Sequence, residues 1–212
     1  MATKWMQRTA LGSIVTLAIL SFACGDLARQ GRSPVQLVIN SLEAAPGAEP
    51  DELGTTLLSD VITSVNQSVN GQTVRVPTVF NDVGQVVMSL ILKDPGQSGL
   101  PAAPSALNQV TITRYRVTYR RTDGRNTPGV DVPFPFDSAV TFTVPTDGTV
   151  EAGFEIVRHT AKQEAPLAAL RTNADVIATI TEVTFFGHDQ AGNDITASGT
   201  LGVNFGNFGD PE

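Results

Sequence analysis

Five arginines lie within twelve positions of this acidic 212-residue chain, and their spacing is the clearest sign of chemistry in the sequence. They are Arg114, Arg116, Arg120, Arg121 and Arg125. Alternate residues of a strand share a face, so Arg114, Arg116 and Arg120 are predicted to form a basic strip. Guanidinium groups bind phosphate and carboxylate, so the strip predicts contact with an anionic partner: lipid A phosphate, an acidic glycan or a carboxylate patch on a protein.

The same arginines also have a purely structural interpretation. Three glutamates fall on the outward parity of their own predicted strands, namely Glu151, Glu155 and Glu182. Cross-strand pairs of opposite charge are ordinary in sheets and contribute about 0.2 to 1 kcal/mol each. We favour this interpretation, in which the arginines pair with those glutamates, and keep the binding interpretation as the alternative.

A second group of polar residues follows His188 in a predicted loop. A calcium ion could be held by Asp189, Asn193, Asp194 and loop carbonyls, because Ca²⁺ takes several hard oxygen ligands. Hairpin loops use the same residue types for Asx-turns and positive φ angles, and we favour that interpretation. The sequence therefore predicts no metal site and no other cofactor.

Catalysis would require a site in two long predicted loops, residues 41–57 and 94–107. The first loop holds the carboxylates that would have to converge on a cleft: Glu43, Glu49, Asp51 and Glu52. Long loops in compact domains are often functional, which keeps a hydrolase or glycan-acting enzyme as an alternative. No arrangement of nucleophile, base and oxyanion donors stands out in the sequence, which therefore predicts a non-catalytic protein.

The amino-terminal residues have the plan of a signal peptide. Lys4 and Arg8 precede an apolar run over residues 11–22, and a small residue, Ala23, stands before the single cysteine, Cys24. This ending resembles a bacterial lipobox. The resemblance implies removal of residues 1–23 and a diacyl or triacyl anchor on Cys24, which would attach the protein to a membrane.

Residues 24–34 are interpreted as the lipidated cysteine and a polar tether, and residues 35–212 as a single domain. Residues 1–23 carry two basic residues and no acid, so their removal takes the net charge from −7 to −9. Such a charge argues against a nucleic-acid partner. In the enterobacterial sorting pattern that this region resembles, an aspartate directly after the cysteine retains the protein in the inner membrane. Gly25 occupies that position, so the resemblance implies the outer membrane of the cell envelope.

Hydrophobic residues from Val35 onward alternate with period two, which predicts strands. About nine strands are expected, with at most one short helix at residues 165–171. Two hairpins are predicted, one joining residues 139–144 to 149–158 and the other closing the domain over residues 176–205. The inward parity changes between Ile112 and Tyr115, which predicts a β-bulge near Thr113. These features predict an all-β fold, an antiparallel β-sandwich.

Two short motifs carry a further resemblance, which spans residues 83–206. Phe185 and the loop Asp189, Ala191, Gly192 and Asn193, leading into residues 195–205, resemble the final hairpin of bacterial immunoglobulin-like domains. Residues 115–119 (YRVTY) resemble a central strand of fibronectin type III modules. The resemblance implies an immunoglobulin-like β-sandwich that serves as a spacer, adhesin or binding module.

The sequence thus predicts a lipid-anchored, non-catalytic envelope protein that acts as a binding or structural module. Its expected partners are the membrane, through the lipid, and an envelope protein or glycan. An accessory subunit of a larger envelope complex is a further alternative, and that hypothesis predicts a contiguous exposed apolar patch.

Overall fold

The computed structural model describes residues 31–209, and strands dominate that part of the chain. The strands are β1 (Val35–Ala45), β2 (Thr56–Asp60), β3 (Thr63–Val69), β4 (Gln72–Thr78), β5 (Asp82–Leu92), β6 (Gly96–Gln97), β7 (Leu100–Pro101), β8 (Val110–Arg120), β9 (Phe136–Val144), β10 (Val150–Val157), β11 (Ile177–Asp189) and β12 (Asp194–Gly206). The predicted all-β class is confirmed. The predicted signal peptide and Cys24 lie outside the described residues.

Two larger sheets organise the described strands. One has the order β1-β5-β10 and the other the order β2-β12-β11-β8-β9, and one sheet curls into half a barrel. The pairing of β2 with β12 is parallel, whereas the other pairs within these two sheets are antiparallel. Two small sheets, β3-β4 and β6-β7, complete the architecture.

A single hydrophobic core draws on both larger sheets. Val86 and Met88 of β5 contribute from one sheet, and Val117 of β8 contributes from the other; all three are fully buried. Aromatic rings join the two sheets, because Phe154 of β10 packs edge-on against Phe185 of β11 with ring centroids 5.4 Å apart. The alternation predicted for β5 and β8 is therefore confirmed.

The predicted β-bulge is confirmed in β8. Its pairing with β9 and with β11 shifts register between Ile112 and Arg114, which leaves Thr113 without a partner in either ladder. One inserted residue turns every later side chain to the opposite face. Ile112 and Tyr115 are both buried as a result, and the arginines after the bulge face outward.

Of the two predicted hairpins, the structure contains one. Strands β11 and β12 pair from Ile177↔Phe205 to His188↔Asp194, as predicted. The hairpin predicted for residues 139–144 and 149–158 is wrong, because β9 pairs with β8 whereas β10 pairs with β5 in the other sheet. The turn at residues 145–149 therefore carries the chain across the core from one sheet to the other.

Other differences from the sequence prediction concern element boundaries. Within residues 31–209, three short helical segments are present where a single one was expected: α1 (His159–Lys162) and two 3₁₀ turns, Ala106–Asn108 and Leu167–Thr172. Strand β1 continues to Ala45, so Glu43 lies on a strand and the first long loop is shorter than predicted. The described strands also exceed the nine expected, partly because residues 94–107 contain the short pair β6 and β7.

The hairpin β3-β4 pairs with neither larger sheet, and its tip stands in solvent. Pro77 lies on β4, which hydrogen-bonds to β3 alone among the described strands, and proline is tolerated in such an edge strand because it has no backbone N–H to donate. Between residues 31 and 209, no helix has the length and apolar character needed to cross a membrane.

Candidate anion-binding face

Strand β8 positions the basic strip. Tyr115, Val117 and Tyr119 are buried, so the alternating residues Arg114, Arg116 and Arg120 are exposed on the outer face of the five-stranded sheet. The predicted arrangement of the three arginines on one face is therefore present in the structure.

Asp137 of β9 lies between the first two arginines. Its Oδ1 accepts a 2.6 Å hydrogen bond from Nη1 of Arg114. Arg116 binds the same carboxylate in a fork, with Nε 3.1 Å from Oδ1 and Nη2 2.9 Å from Oδ2. The guanidinium of Arg114 also stacks over the ring of Phe186, 3.9 Å from its centroid. Two cations thus share one anion, which leaves the cluster with net positive charge.

The arginines change the protonation of Asp137. The hydrogen bond from Arg116 is the main reason that the pKa of Asp137 lies below its ordinary value, and Arg114 adds to the effect. In return, the hydrogen bond to Asp137 raises the pKa of Arg116. The cluster consequently keeps its charges at neutral pH.

The glutamate partners predicted for the strip are wrong. Glu151 and Glu155 belong to β10 in the other sheet, where Glu151 accepts a hydrogen bond from Gln85. Glu182 lies on β11, but its position there is opposite Thr118. The structural interpretation was right that a carboxylate on a neighbouring strand pairs with Arg114 and Arg116, but that carboxylate is Asp137.

The remaining arginines of the cluster differ in their surroundings. Arg121 and Arg125 both contact Asp123 in the loop after β8, and their hydrogen bonds lower the pKa of Asp123 to about 2, with Arg121 contributing most.

Arg120 lies opposite Ile180, which is half exposed, and it makes no ion pair with any residue in the range 31–209. It is the free cation at one end of the strip.

A groove of about 390 Å³ opens at the other end of the strip, next to the bulge. Arg114, His188 and Asp194 contribute its charged and titratable side chains, and Thr113 and Gly187 also line it. A bulge re-aims the side chains that follow it, and bulges are common beside functional sites. The groove and the strip together form one surface, which we call the β8 face.

The loop proposed for calcium uses its carboxylate internally. Asp189 is buried, and its Oδ1 accepts hydrogen bonds from the backbone N–H groups of Ala191 and Asn193, while the Asn193 amide donates to Oδ2. Burial alone would raise the pKa of Asp189, but these bonds lower it below the ordinary value. Asp194 lies in the neighbouring groove. No cluster of three metal-ligating acids, histidines or cysteines occurs in the described part of the chain.

The carboxylates of the enzyme alternative do not lie in one place. Glu43 occupies β1 opposite Gln85, Asp51 is exposed, and Glu49 and Glu52 line an open groove of about 270 Å³ together with Asp60. The four acids therefore do not all face one cleft.

One ion pair was missed by sequence reasoning altogether. Lys162 of α1 contacts Asp82 of β5 in the interior, and the two residues are 80 positions apart in the chain. Nothing in the local pattern of either segment marks the pair. The position of Asp137, in contrast, was predictable. Val140 and Phe142 are expected to point inward, so the alternation along the strand also points Phe136 inward and Asp137 outward.

Comparison with protein-family models, with curated proteins and with solved structures finds no match to this chain. The fold and the site alone therefore define its class. It is an all-β protein of two larger sheets around one core, with a net-positive strip of arginines on an exposed sheet face.

Proposed function

We propose that this chain is a lipid-anchored, non-catalytic binding module of the bacterial cell envelope, with an immunoglobulin-like sandwich fold. The β8 face is its contact surface for an anionic envelope component: a phosphorylated or acidic glycan, or a carboxylate patch on a protein. The lipid on Cys24, in the outer membrane, is its attachment.

The strand order supports the immunoglobulin-like part of the proposal. Immunoglobulin folds have strands A, B, E and D in one sheet and G, F and C in the other, with C′ added in the variable type. Strands β1, β5 and β10 take the places of A, B and E, and strands β12, β11, β8 and β9 take those of G, F, C and C′. The change of sheet between β9 and β10 corresponds to the crossing from C′ to E. No described strand takes the place of D.

The charge of the β8 face carries the binding part of the proposal. The mature chain is strongly acidic, yet Arg114 and Arg116 share a single carboxylate and Arg120 has no ion-pair partner among the described residues. Glu182 lies diagonal to Arg116 and Arg120 on the same face, and the three arginines still outnumber Asp137 and Glu182. The guanidinium groups of Arg114 and Arg116 are already held in place by Asp137. They therefore lose little side-chain freedom when they bind phosphate or carboxylate, which favours binding.

The experiment is retention of the purified protein on immobilised lipopolysaccharide and on acidic glycans, from low to physiological salt. We expect retention at low salt that weakens as the screening length falls to about 8 Å at 0.15 M. Arg116→Glu should abolish it. Arg125→Glu is the matched control, because it makes the same change of charge in the loop after β8 and should leave more retention. Absent retention at low salt, or retention indifferent to Arg116→Glu, would overturn the proposal.

A further inference from the structure

The buried ion pair of Lys162 and Asp82 is an unusual feature of this interior. Nζ of Lys162 lies 2.7 Å from Oδ1 of Asp82, and each side chain is 1% exposed. Lys162 is also the largest of the fully buried side chains in the described chain. Two charges removed from water lose hydration worth several kcal/mol per ion, and this loss is offset only where geometry and further hydrogen bonds are favourable.

Two further donors complete the surroundings of the carboxyl group. The backbone N–H of Gly47 donates to Oδ1 over 3.0 Å, and Oγ of Ser59 donates to Oδ2 over 2.6 Å. The amine nitrogen thus contacts an oxygen that is bonded to the carboxyl carbon, Cγ of Asp82. A backbone donor is aimed at one oxygen of that carboxyl group and a hydroxyl at the other. These are groups that acyl transfer uses: a held nucleophile, a hydroxyl donor for the oxyanion and a second donor that holds the leaving oxygen.

The interior also favours the uncharged form of the Asp82 carboxyl group. Burial raises the pKa of Asp82 above its ordinary value, although Lys162, Ser59 and Gly47 act in the opposite direction. A proton that moves from Nζ to the carboxylate along their 2.7 Å hydrogen bond produces a neutral amine in contact with a neutral carboxylic acid. Neither an external base nor a co-reactant is required, and the amine becomes nucleophilic.

We propose that Lys162 and Asp82 form an intramolecular amide bond in the folded protein. Nζ attacks Cγ of Asp82, and the N–C bond forms while Oδ2 becomes the oxyanion held by the Ser59 hydroxyl. The bond from Cγ to Oδ1 then breaks, and Oδ1 leaves as water with the hydrogen that it received from Nζ and a second hydrogen from the attacking amine. The Gly47 N–H, hydrogen-bonded to Oδ1, holds the leaving oxygen.

The amide would link elements that are remote in sequence. Asp82 is the first residue of β5, whereas Lys162 ends the helix α1 in the connection from β10 to β11. A covalent bond here closes a long loop and fixes that connection to the three-stranded sheet. It also removes both charges from the interior, and with them the cost of burying an ion pair.

A tryptic digest of the denatured wild-type protein tests the proposal. The amide blocks cleavage after Lys162, so we expect one branched peptide that joins residues 76–93 to residues 159–171 with a mass one water less than their sum. Fragmentation should place the link between Asp82 and Lys162. Free peptides 76–93, 159–162 and 163–171 with no branched product would overturn the proposal.

Two variants sharpen the experiment. Lys162→Arg keeps the positive charge but cannot form the amide under these conditions, so it should give only unbranched peptides. Ser59→Ala removes the proposed oxyanion donor and should lower the branched fraction at a fixed time after synthesis. The wild-type digest decides the question even if either variant fails to fold.

Discussion

The hydroxyl of Tyr119 donates a 2.6 Å hydrogen bond to the backbone carbonyl of Ile156, which lies in the opposite sheet. The register between β10 and β5 skips Ile156, so this residue has no ladder partner there. The neighbouring Tyr115 makes the reciprocal kind of contact, because its hydroxyl accepts the backbone N–H of Glu155 over 3.1 Å. The two tyrosines of β8 therefore tie the five-stranded sheet to β10 across the core.

Tyr119→Phe should lower the free energy of unfolding by about 1 to 3 kcal/mol. The change leaves a buried carbonyl without its donor, and an unsatisfied buried polar group costs that much. Urea unfolding measures the loss. Thr143→Val is the control, because the Thr143 hydroxyl makes an exposed contact with Thr111, and the loss of this contact should change stability by less than about 0.5 kcal/mol. A Tyr119→Phe protein as stable as the wild type would contradict the role given to this bond.

Gly187→Ala should destabilise the protein by about 1 to 3 kcal/mol, because a Cβ at this position would overlap the backbone carbonyl oxygen of Thr111 beside the bulge. Gly153→Ala is the matched control in β10, where the nearest atom to a new Cβ is a carbonyl oxygen 3.9 Å away. Thermal unfolding of both variants gives the comparison. Equal stability of the two would mean that the backbone at the bulge can relax.

Asp189 should make the protein sensitive to acid. Its pKa is lowered in the folded state, so the native protein binds fewer protons there than the unfolded chain does. The resulting stability is fully present above the ordinary value of 3.8 and is lost as the pH falls through the lower, folded pKa. Unfolding measured from about pH 6 to about pH 2 should show a shallower acid loss in Asp189→Asn than in the wild type.

Asn193→Ala provides a graded control for that measurement. It removes the amide donor to Oδ2 of Asp189 but keeps the backbone donors to Oδ1, so its acid loss should be intermediate. Identical pH profiles for all three proteins would exclude Asp189 as a source of the acid loss.

Asp137→Asn should strengthen retention on anionic supports. It removes the one carboxylate that Arg114 and Arg116 share, so the net positive charge of the β8 face increases. Stability should change little, because exposed ion pairs contribute little. The salt concentration at which half the protein elutes should rise relative to the wild type. Elution at the same or lower salt would show that the β8 face does not govern retention.

Cys24→Ser should leave the precursor unacylated and the protein without its lipid anchor. Mass spectrometry of the native amino terminus checks the sequence prediction directly and should find acylated Cys24 in the wild-type protein. An unmodified amino terminus at any other residue would refute the lipoprotein hypothesis.

Sequence periodicity was sufficient to predict which face of β5, β8 and β12 is buried, and also the bulge at Thr113. It could not predict sheet membership. Strands β9 and β10 show the same inward alternation whether they pair side by side or face each other across a core, so the turn signal at residues 145–148 suggested the wrong arrangement. The pairing of Lys162 with Asp82 was equally hidden, since the tertiary fold alone brings those segments together.

The parallel pairing of β2 with β12 has a consequence for the order of folding. Thr56–Asp60 finds its hydrogen-bond partners in Gly202–Gly206, so the larger sheet cannot be completed until β12 has been synthesised. Contacts so distant in sequence make folding slow, because loop-closure entropy opposes them before they contribute stability. Until β12 is in place, β2 lacks the backbone partners that it has in the folded sheet, and unpaired strand edges of this kind favour aggregation.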